Sequence, residues 1–308
     1  MKHDIIEGFQ NRPSVAAYMV RAFIPSFGLR KNGEFPRIIE RWDKIRINSH
    51  HLQSFVELTG LSLGDRISLL YPHVFGFPLQ MALLTHRAFP LPIWRALQIR
   101  NHLLLHRPFS ENEILDLETR VAGHRILAKG VEVDLYTTLS SAGEWVWEGL
   151  NTFYFRGHYG PAQEASPLAQ SLSCAWSELT SWHMPSGVGW RFAGLTGDYN
   201  GIHWQNWYAK FFGFKSALNH PQLVLGQCIS RLPSPASTCQ RLDVWLKGPV
   251  YYDTDVRLSV AASPEGNWFN LSMDGKALPS IVGRWFAESP GSRLIDKFCA
   301  LSTFKGGK

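Results

Sequence analysis

From Pro221 to Leu232 the chain reads as a helix that is apolar on most of its faces, since Leu223, Val224, Leu225, Cys228 and Ile229 leave no broad polar stripe for water. Such a helix has to be surrounded, and β-rich sequence follows to surround it. Apolar residues alternate at Val256/Leu258/Val260, Phe269/Leu271/Met273 and Ile281/Gly283/Trp285, with turn signals at Pro264-Glu-Gly266 and Asp274-Gly275 between them. Pro221 suits a first helical position because the N–H it lacks would be unpaired there, and Pro233 and Pro235 end the run. The first half of the chain follows the same order. Strand-like Arg66–Leu70 leads into Tyr71-Pro-His-Val-Phe-Gly-Phe-Pro-Leu-Gln-Met-Ala-Leu-Leu84, with Pro72 at a helix start and Pro78 expected at a kink or boundary. Strand-like segments follow at Trp94–Leu105, Ile114–His124, Ala128–Leu139 and Glu144–Phe155. A buried helix and then an antiparallel meander, twice over, predicts an α+β protein with two related sheets, each wrapped around a central helix. The Gly-, Pro-, Ala- and Ser-rich stretch Gly157–Ser171 marks the join, giving an N-terminal half over 1–165 and a C-terminal half over 166–308 that pack rigidly together.

Composition narrows the partners. The net charge of +6 favours anionic ligands, but the basic residues are scattered and form no stripe, so nucleic acid is not an expected partner. The four cysteines, Cys174, Cys228, Cys239 and Cys299, have no zinc-site spacing and read as free thiols of a reducing compartment, with Cys228 in the core. The apolar stretch Val15–Phe27 is interrupted by Arg21 and lacks a cleavage pattern, and no run reaches the ~20 apolar residues of a membrane span. A cytoplasmic protein without a membrane partner is therefore expected. Gly60-Leu-Ser-Leu-Gly64 fits the string of a nucleophile elbow, but strand-like sequence follows where a helix is required, so a turn entering a strand is the better reading. No phosphate-cradling or dinucleotide motif occurs, and no cofactor is expected. His73, His86, His102 and His106 lie in the half without acidic motif partners and are assigned structural roles.

The chemistry concentrates in Leu195-Thr-Gly-Asp-Tyr-Asn-Gly-Ile-His203, which puts an acid, an amide and an imidazole (Asp198, Asn200 and His203) within six residues. Asp and Asn in such a stretch often do no more than cap a turn. A histidine able to hold either protonation state near pH 7 adds the means for proton transfer.

With its continuation through Tyr208-Ala-Lys-Phe-Phe-Gly-Phe214 to His220, this stretch resembles the MaoC-like R-specific enoyl-thioester hydratases. Their signature reads roughly GDxNPxH, then YAK and GF, then HG opening the central helix. The first half is similar, through Tyr71-Pro-His-Val and Phe77-Pro-Leu-Gln-Met-Ala-Leu, to the degenerate N-terminal half of double-hotdog 3-hydroxyacyl-thioester dehydratases, so the resemblance spans residues 60–290. It implies a double-hotdog fold and a hydro-lyase acting on acyl thioesters of coenzyme A or an acyl carrier protein; a second copy of the chain, in a homodimer, is a further candidate partner. Asp198 and His203 match the pair that holds the reacting water, and Asn200 matches the amide that orients the site. His220 is a candidate for substrate contact. Two positions depart from the pattern. Gly201 stands where the family has proline, and Pro221 stands where it has a glycine whose N–H serves the oxyanion. The next helix N–H, from Gln222, and the side chain of His220 are the candidate replacements. A non-catalytic acyl-thioester-binding protein and a hotdog thioesterase are the alternative functions.

Overall fold

The computed structural model describes residues 4–29, 35–62, 67–162, 166, 175–261 and 266–299. In chain order the elements are β1 (Ile5–Phe9), α1 (Val15–Arg21), β2 (Ile38–Ile45), α2 (Ser49–Thr59), α3 (Tyr71–Leu84), β3 (Ala96–Leu105), β4 (Leu115–Leu127), β5 (Gly130–Ser141) and β6 (Glu144–Arg156). The second half continues with β7 (Ser177–Met184), α4 (Gly189–Thr196), α5 (Asn206–Phe211), α6 (Pro221–Ile229), β8 (Gln240–Leu246), β9 (Thr254–Ala261), β10 (Asn267–Met273), β11 (Ile281–Ala287) and α7 (Leu294–Cys299).

The two related sheets are joined edge to edge into one eleven-stranded sheet of order β1-β2-β4-β5-β6-β3-β8-β11-β10-β9-β7. Outward from the junction, β3-β6-β5-β4-β2 on one side repeats as β8-β11-β10-β9-β7 on the other, so each half presents the same strand order around its own central helix. The junction is the antiparallel pairing of β3 with β8 over six residue pairs, from Arg100–Trp245 to Leu105–Gln240. β1 adds a parallel strand beyond β2. This is the double-hotdog fold.

The central helices α3 and α6 are buried along almost their whole length, and both begin with proline in the first turn. Leu223, Val224, Leu225 and Ile229 share one core with Leu242, Val244, Leu258, Phe269 and Leu271 of the C-terminal sheet and with Leu69, Val74 and Leu79 of the first half. Each such side chain contributes about 1.5–3 kcal/mol by leaving water. Pro78 lies inside α3, where the helix runs through it to Leu84. Burial of that helix on every side holds it together where local propensity would break it.

Several sequence expectations are corrected. Residues 67–70 form a turn instead of a strand, with the Tyr71 N–H donating to the Ser68 carbonyl, and Arg66 lies outside the described residues. Gly60 ends α2 with φ of +71° instead of entering a strand. This removes the strand that the elbow string would need before its serine, while Gly64 lies outside the described residues. α4, β8 and the N-terminal elements β1, α1, β2 and α2 are additional to the elements read from the sequence. Cys228 is a buried free thiol and Cys239 is buried; Cys174 and most of the Gly157–Ser171 join fall outside the described residues.

On the outer face of the junction the Asp243 carboxylate of β8 accepts from His102 Nδ1 of β3 at 2.8 Å, from Arg241 Nε at 3.0 Å and from Arg284 Nη2 of β11 at 3.2 Å. Burial alone would raise the Asp243 carboxyl, but the His102 hydrogen bond and Arg241 hold it well below the usual carboxylate range. A carboxylate depressed in this way stabilises the fold above the unfolded aspartate pKa of about 3.9, and that contribution disappears as the pH falls below it. Asp243→Ala removes the buried carboxylate that His102, Arg241 and Arg284 share, and the expected loss is roughly 3–5 kcal/mol at pH 7, shrinking in acid, as read by urea denaturation across pH.

Candidate active site

The motif lies between α4 and α5, and its backbone is shaped by its own side chains. α4 ends at Gly197, whose φ of +78° is the left-handed conformation that glycine adopts at little cost. A Cβ there would also lie 2.3 Å from the Tyr18 hydroxyl, so the position has neither the conformation nor the room for another residue. Asp198 Oδ1 accepts the Asn200 N–H at 3.1 Å, and Asn200 Oδ1 accepts the Ile202 N–H at 3.2 Å, capping a single 3₁₀ turn at Gly201–His203. Capping therefore occupies the Asn200 carbonyl oxygen and one oxygen of Asp198. It leaves Asp198 Oδ2 facing the imidazoles.

Two histidines meet that oxygen. His203 Nε2 and His220 Nδ1 each lie 3.7 Å from Asp198 Oδ2, and the two rings stack with centroids 3.7 Å apart and planes 22° apart. The distance exceeds a direct hydrogen bond and leaves room for a bridging water. His203 Nδ1 lies 3.0 Å from the Leu218 carbonyl, an acceptor only, so this nitrogen carries the proton and Nε2 presents a lone pair toward Asp198. Burial lowers the pKa of His203, opposed by Asp198, and lowers that of His220 further, with His203 adding to the effect. Both are neutral at pH 7.

Asp198, His203 and His220 bring their donor atoms within 4.8 Å of one another, as do Glu7, Glu40 and His86. Neither set suits a metal. Imidazole lone pairs lie in the ring plane, and the in-plane lone pairs of the stacked His203 and His220 rings do not converge on one point. In the other set, His86 Nδ1 accepts the Ala88 N–H, which puts the His86 proton on Nε2, the atom that faces Glu7.

His220 precedes Pro221, and α6 starts without a side-chain cap, so its first-turn N–H groups are not satisfied by the preceding side chain. The Gln222 side chain points away from the triad: its Nε2 donates to Gln98 Oε1 at 2.7 Å, and its Oε1 accepts from Asn101 Nδ2 at 3.3 Å. Gln98 and Asn101 belong to β3, and Gln98 also reaches His73, at 3.3 Å, in the first turn of α3. His73 and Gln222 each follow the proline that opens a central helix, so the two helix starts meet through β3. His86 and His106 likewise pair with Glu7 and Glu148, and His102 with Asp243, the partners a structural histidine needs.

The N-terminal segment supplies a set of contacts that sequence reading missed. Arg12 Nη2 donates to the Leu195 carbonyl at 2.7 Å, and the Tyr18 hydroxyl donates to the Gly197 carbonyl at 2.7 Å. The Tyr71 hydroxyl and the Leu195 carbonyl bracket His51, at 3.0 Å from Nδ1 and 2.9 Å from Nε2, so His51 donates to Leu195 through Nε2. The free carbonyls at the end of α4 are thus held by three side chains far away in sequence. On the other side the Tyr252 hydroxyl donates to the His203 carbonyl at 2.8 Å. Gly201 is explained by packing, because a Cβ there would lie 2.8 Å from the Tyr208 ring. A proline would collide with that ring.

Known proteins show the same arrangement of elements. A 3-hydroxyacyl-thioester dehydratase X from Mycobacterium tuberculosis is 25% identical over 241 residues, covering 78% of this chain and 86% of that protein. In sequence and in fold the chain resembles the MaoC-like hotdog dehydratases. A crystal structure of HtdX from Mycobacterium tuberculosis superposes on it with a TM-score of 0.69 at 23% identity, covering 81% of this chain and 100% of that one. A MaoC-like dehydratase from Phytophthora capsici gives 0.65 at 14% identity, covering 84% of this chain and 98% of that one. No protein-family model matches the chain.

The clamp on the MaoC-like motif is testable. Tyr18→Phe removes one buried donor and leaves the Gly197 carbonyl unpaired, and we expect a loss of about 1–3 kcal/mol in thermal or chemical unfolding.

Proposed function

We propose that the protein is an R-specific 3-hydroxyacyl-thioester dehydratase, running equally as an enoyl-thioester hydratase, on acyl chains carried by coenzyme A or an acyl carrier protein. The observation that carries this reading is the pair of acceptors, Asp198 Oδ2 and the His203 Nε2 lone pair, 3.7 Å apart. Two acceptors facing one another suit a water that donates a hydrogen to each, which leaves its oxygen lone pairs free to attack. In hydration the water oxygen bonds to C3 of the enoyl thioester, and the C2–C3 π pair moves to give an enolate whose charge rests on the thioester oxygen. Asp198 or His203 takes the water proton as the C–O bond forms, and the same proton is returned to C2. The charge on the thioester oxygen has to be met by N–H donors, which the first turn of α6 supplies together with its dipole. Pro221 offers no N–H, so Gln222 takes the role of the backbone donor. Its side chain, tied to Gln98 and Asn101, fixes the helix start from which that N–H projects. Asn200 acts by shaping the turn that aims Asp198, and His220 packs against His203 as the third wall of the water site.

The test is hydration of crotonyl and longer 2-enoyl thioesters, followed as loss of the conjugated absorbance, with free-thiol release measured in parallel to detect a thioesterase. Asp198→Asn and His203→Ala are each expected to lower kcat by about 10²–10⁴-fold. Because His203 works as the neutral imidazole and burial lowers its pKa, kcat/KM should stay level down through the ordinary histidine range and fall only at lower pH. An inactive wild type, or Asp198→Asn turning over as fast as wild type, rules the reading out.

A further inference from the structure

The segment that carries the proposed catalytic motif also carries a surface that the reaction does not use. On α5, Trp207, Lys210 and Phe211 fall at positions i, i+3 and i+4 and so share one helical face, turned outward, while Ala209 is buried beneath. Trp207 and Phe211 are 69% and 82% exposed. Their rings continue one into the next: Trp207 against Tyr208 at 5.6 Å, Tyr208 against Phe212 at 4.8 Å, and Phe212 against Phe211 at 5.4 Å. A second exposed aromatic group flanks the motif, where Trp190 packs edge-on to Tyr199 and Trp204, each at 5.0 Å. Scattered exposed apolar side chains are ordinary; a connected run of aromatic rings beside a candidate active site is not.

Composition decides what covers it. In the segment from Trp190 to Lys215 the charged residues other than Asp198 are the exposed cations Arg191, Lys210 and Lys215, and no aspartate or glutamate occurs between Asp198 and Asp243 in sequence. Protein–protein interfaces are rich in aromatic residues but depleted in lysine. Tryptophan and phenylalanine interleaved with lysine is the pattern of a surface that lies in a lipid headgroup layer, rings at the acyl boundary and ammonium groups on phosphates. No described helix is long and apolar enough to cross a membrane, so any contact is one of lying on the surface. We propose that the α5 face, with Trp190 and Trp204, docks the protein on an anionic lipid surface and holds the mouth of the site against the layer into which long acyl chains partition. The sequence expectation of no membrane partner rested on the lack of a spanning segment, which leaves surface docking open.

The test uses the full chain and phosphatidylcholine vesicles with and without phosphatidylglycerol. We expect co-sedimentation with the phosphatidylglycerol vesicles, weakened by salt, and quenching of tryptophan fluorescence by brominated lipid. Phe211→Ser and Trp207→Ser should weaken vesicle binding while leaving turnover of a short, water-soluble enoyl thioester unchanged. Lys210→Gln and Lys215→Gln should each cost about fivefold in binding, the factor that corresponds to ~1 kcal/mol per basic residue at an anionic surface. Failure of wild type to bind vesicles, or variants that bind as well as wild type, overturns the proposal. A wild-type dimer that Phe211→Ser converts to a monomer in analytical ultracentrifugation also overturns it, assigning the face to a second copy of the chain. Vesicle binding is read without any enzyme assay, so these outcomes are separate from whether the protein is a hydratase.

Discussion

The pairing of β3 with β8 is the contact on which the rest depends. Each half alone would leave a strand edge open and one side of a central helix poorly covered. Joined, they form one sheet whose inner face wraps α3 and α6, and the core passes between the halves without interruption. The pairing also settles where chemistry can occur. β3 carries Gln98 and Asn101, which reach across to Gln222 and so set the start of α6 beside the motif. His102, two residues from Gln98's bulged register on the same strand, faces the other way and locks the outer side of the junction through Asp243. One strand therefore both welds the halves and aims the helix from which the oxyanion donor is proposed to come.

In the second half, sequence patterns marked the central helix and three of the strands. The apolar run from Leu223 to Ile229 and the alternation in β9, β10 and β11 are strong periodic signals, because those elements are buried on one face or on all. The pattern was weak where tertiary contacts decide structure. β8 alternates Leu242, Val244 and Leu246 with Arg241, Asp243 and Trp245, a short run obscured by polar residues that are buried because Arg241 and Asp243 pair with each other, with Glu288 and with Arg284. Residues 67–70 read as a strand because their apolar content was real, but Leu69 and Leu70 are buried in the turn that feeds α3. Pro78 was expected at a kink or boundary; it is no boundary, since α3 continues through it to Leu84 in packing that outweighs its missing hydrogen bond.

The candidate site divides in the same way. Asp198, His203 and His220 come together as their spacing implied, because Asp198 and His203 sit on one capped turn and His220 opens the next buried helix. Gln222 was named for its backbone, and its side chain proves to bridge the halves. Asn200 was named as an orienting amide and caps the turn at Ile202. Arg12, Tyr18 and His51 lie between 144 and 183 residues from the carbonyls they hold. No motif precedes them and no periodicity marks them. Their only trace in the sequence is an arginine, a tyrosine and a histidine within a segment with no chemistry of its own.

These distant contacts bear on the two places where the chain departs from the family's pattern. A glycine in place of proline would by itself loosen the loop between Asp198 and His203, because glycine has more conformational freedom to lose. Here the Tyr208 ring occupies the space a proline ring would need, and it restrains Gly201 from outside in place of a restraint from within. The same loop is pinned at its start by Tyr18 on Gly197 and at its end by Tyr252 on His203. Rigidity that the family's pattern builds into one residue is distributed over three tyrosines. At Pro221 the helix start is likewise held from outside, by the Gln222 side chain against Gln98 and Asn101 of β3. In both cases a local rule is broken and the compensation is tertiary, which is why the motif alone made the site look less complete than the folded chain makes it.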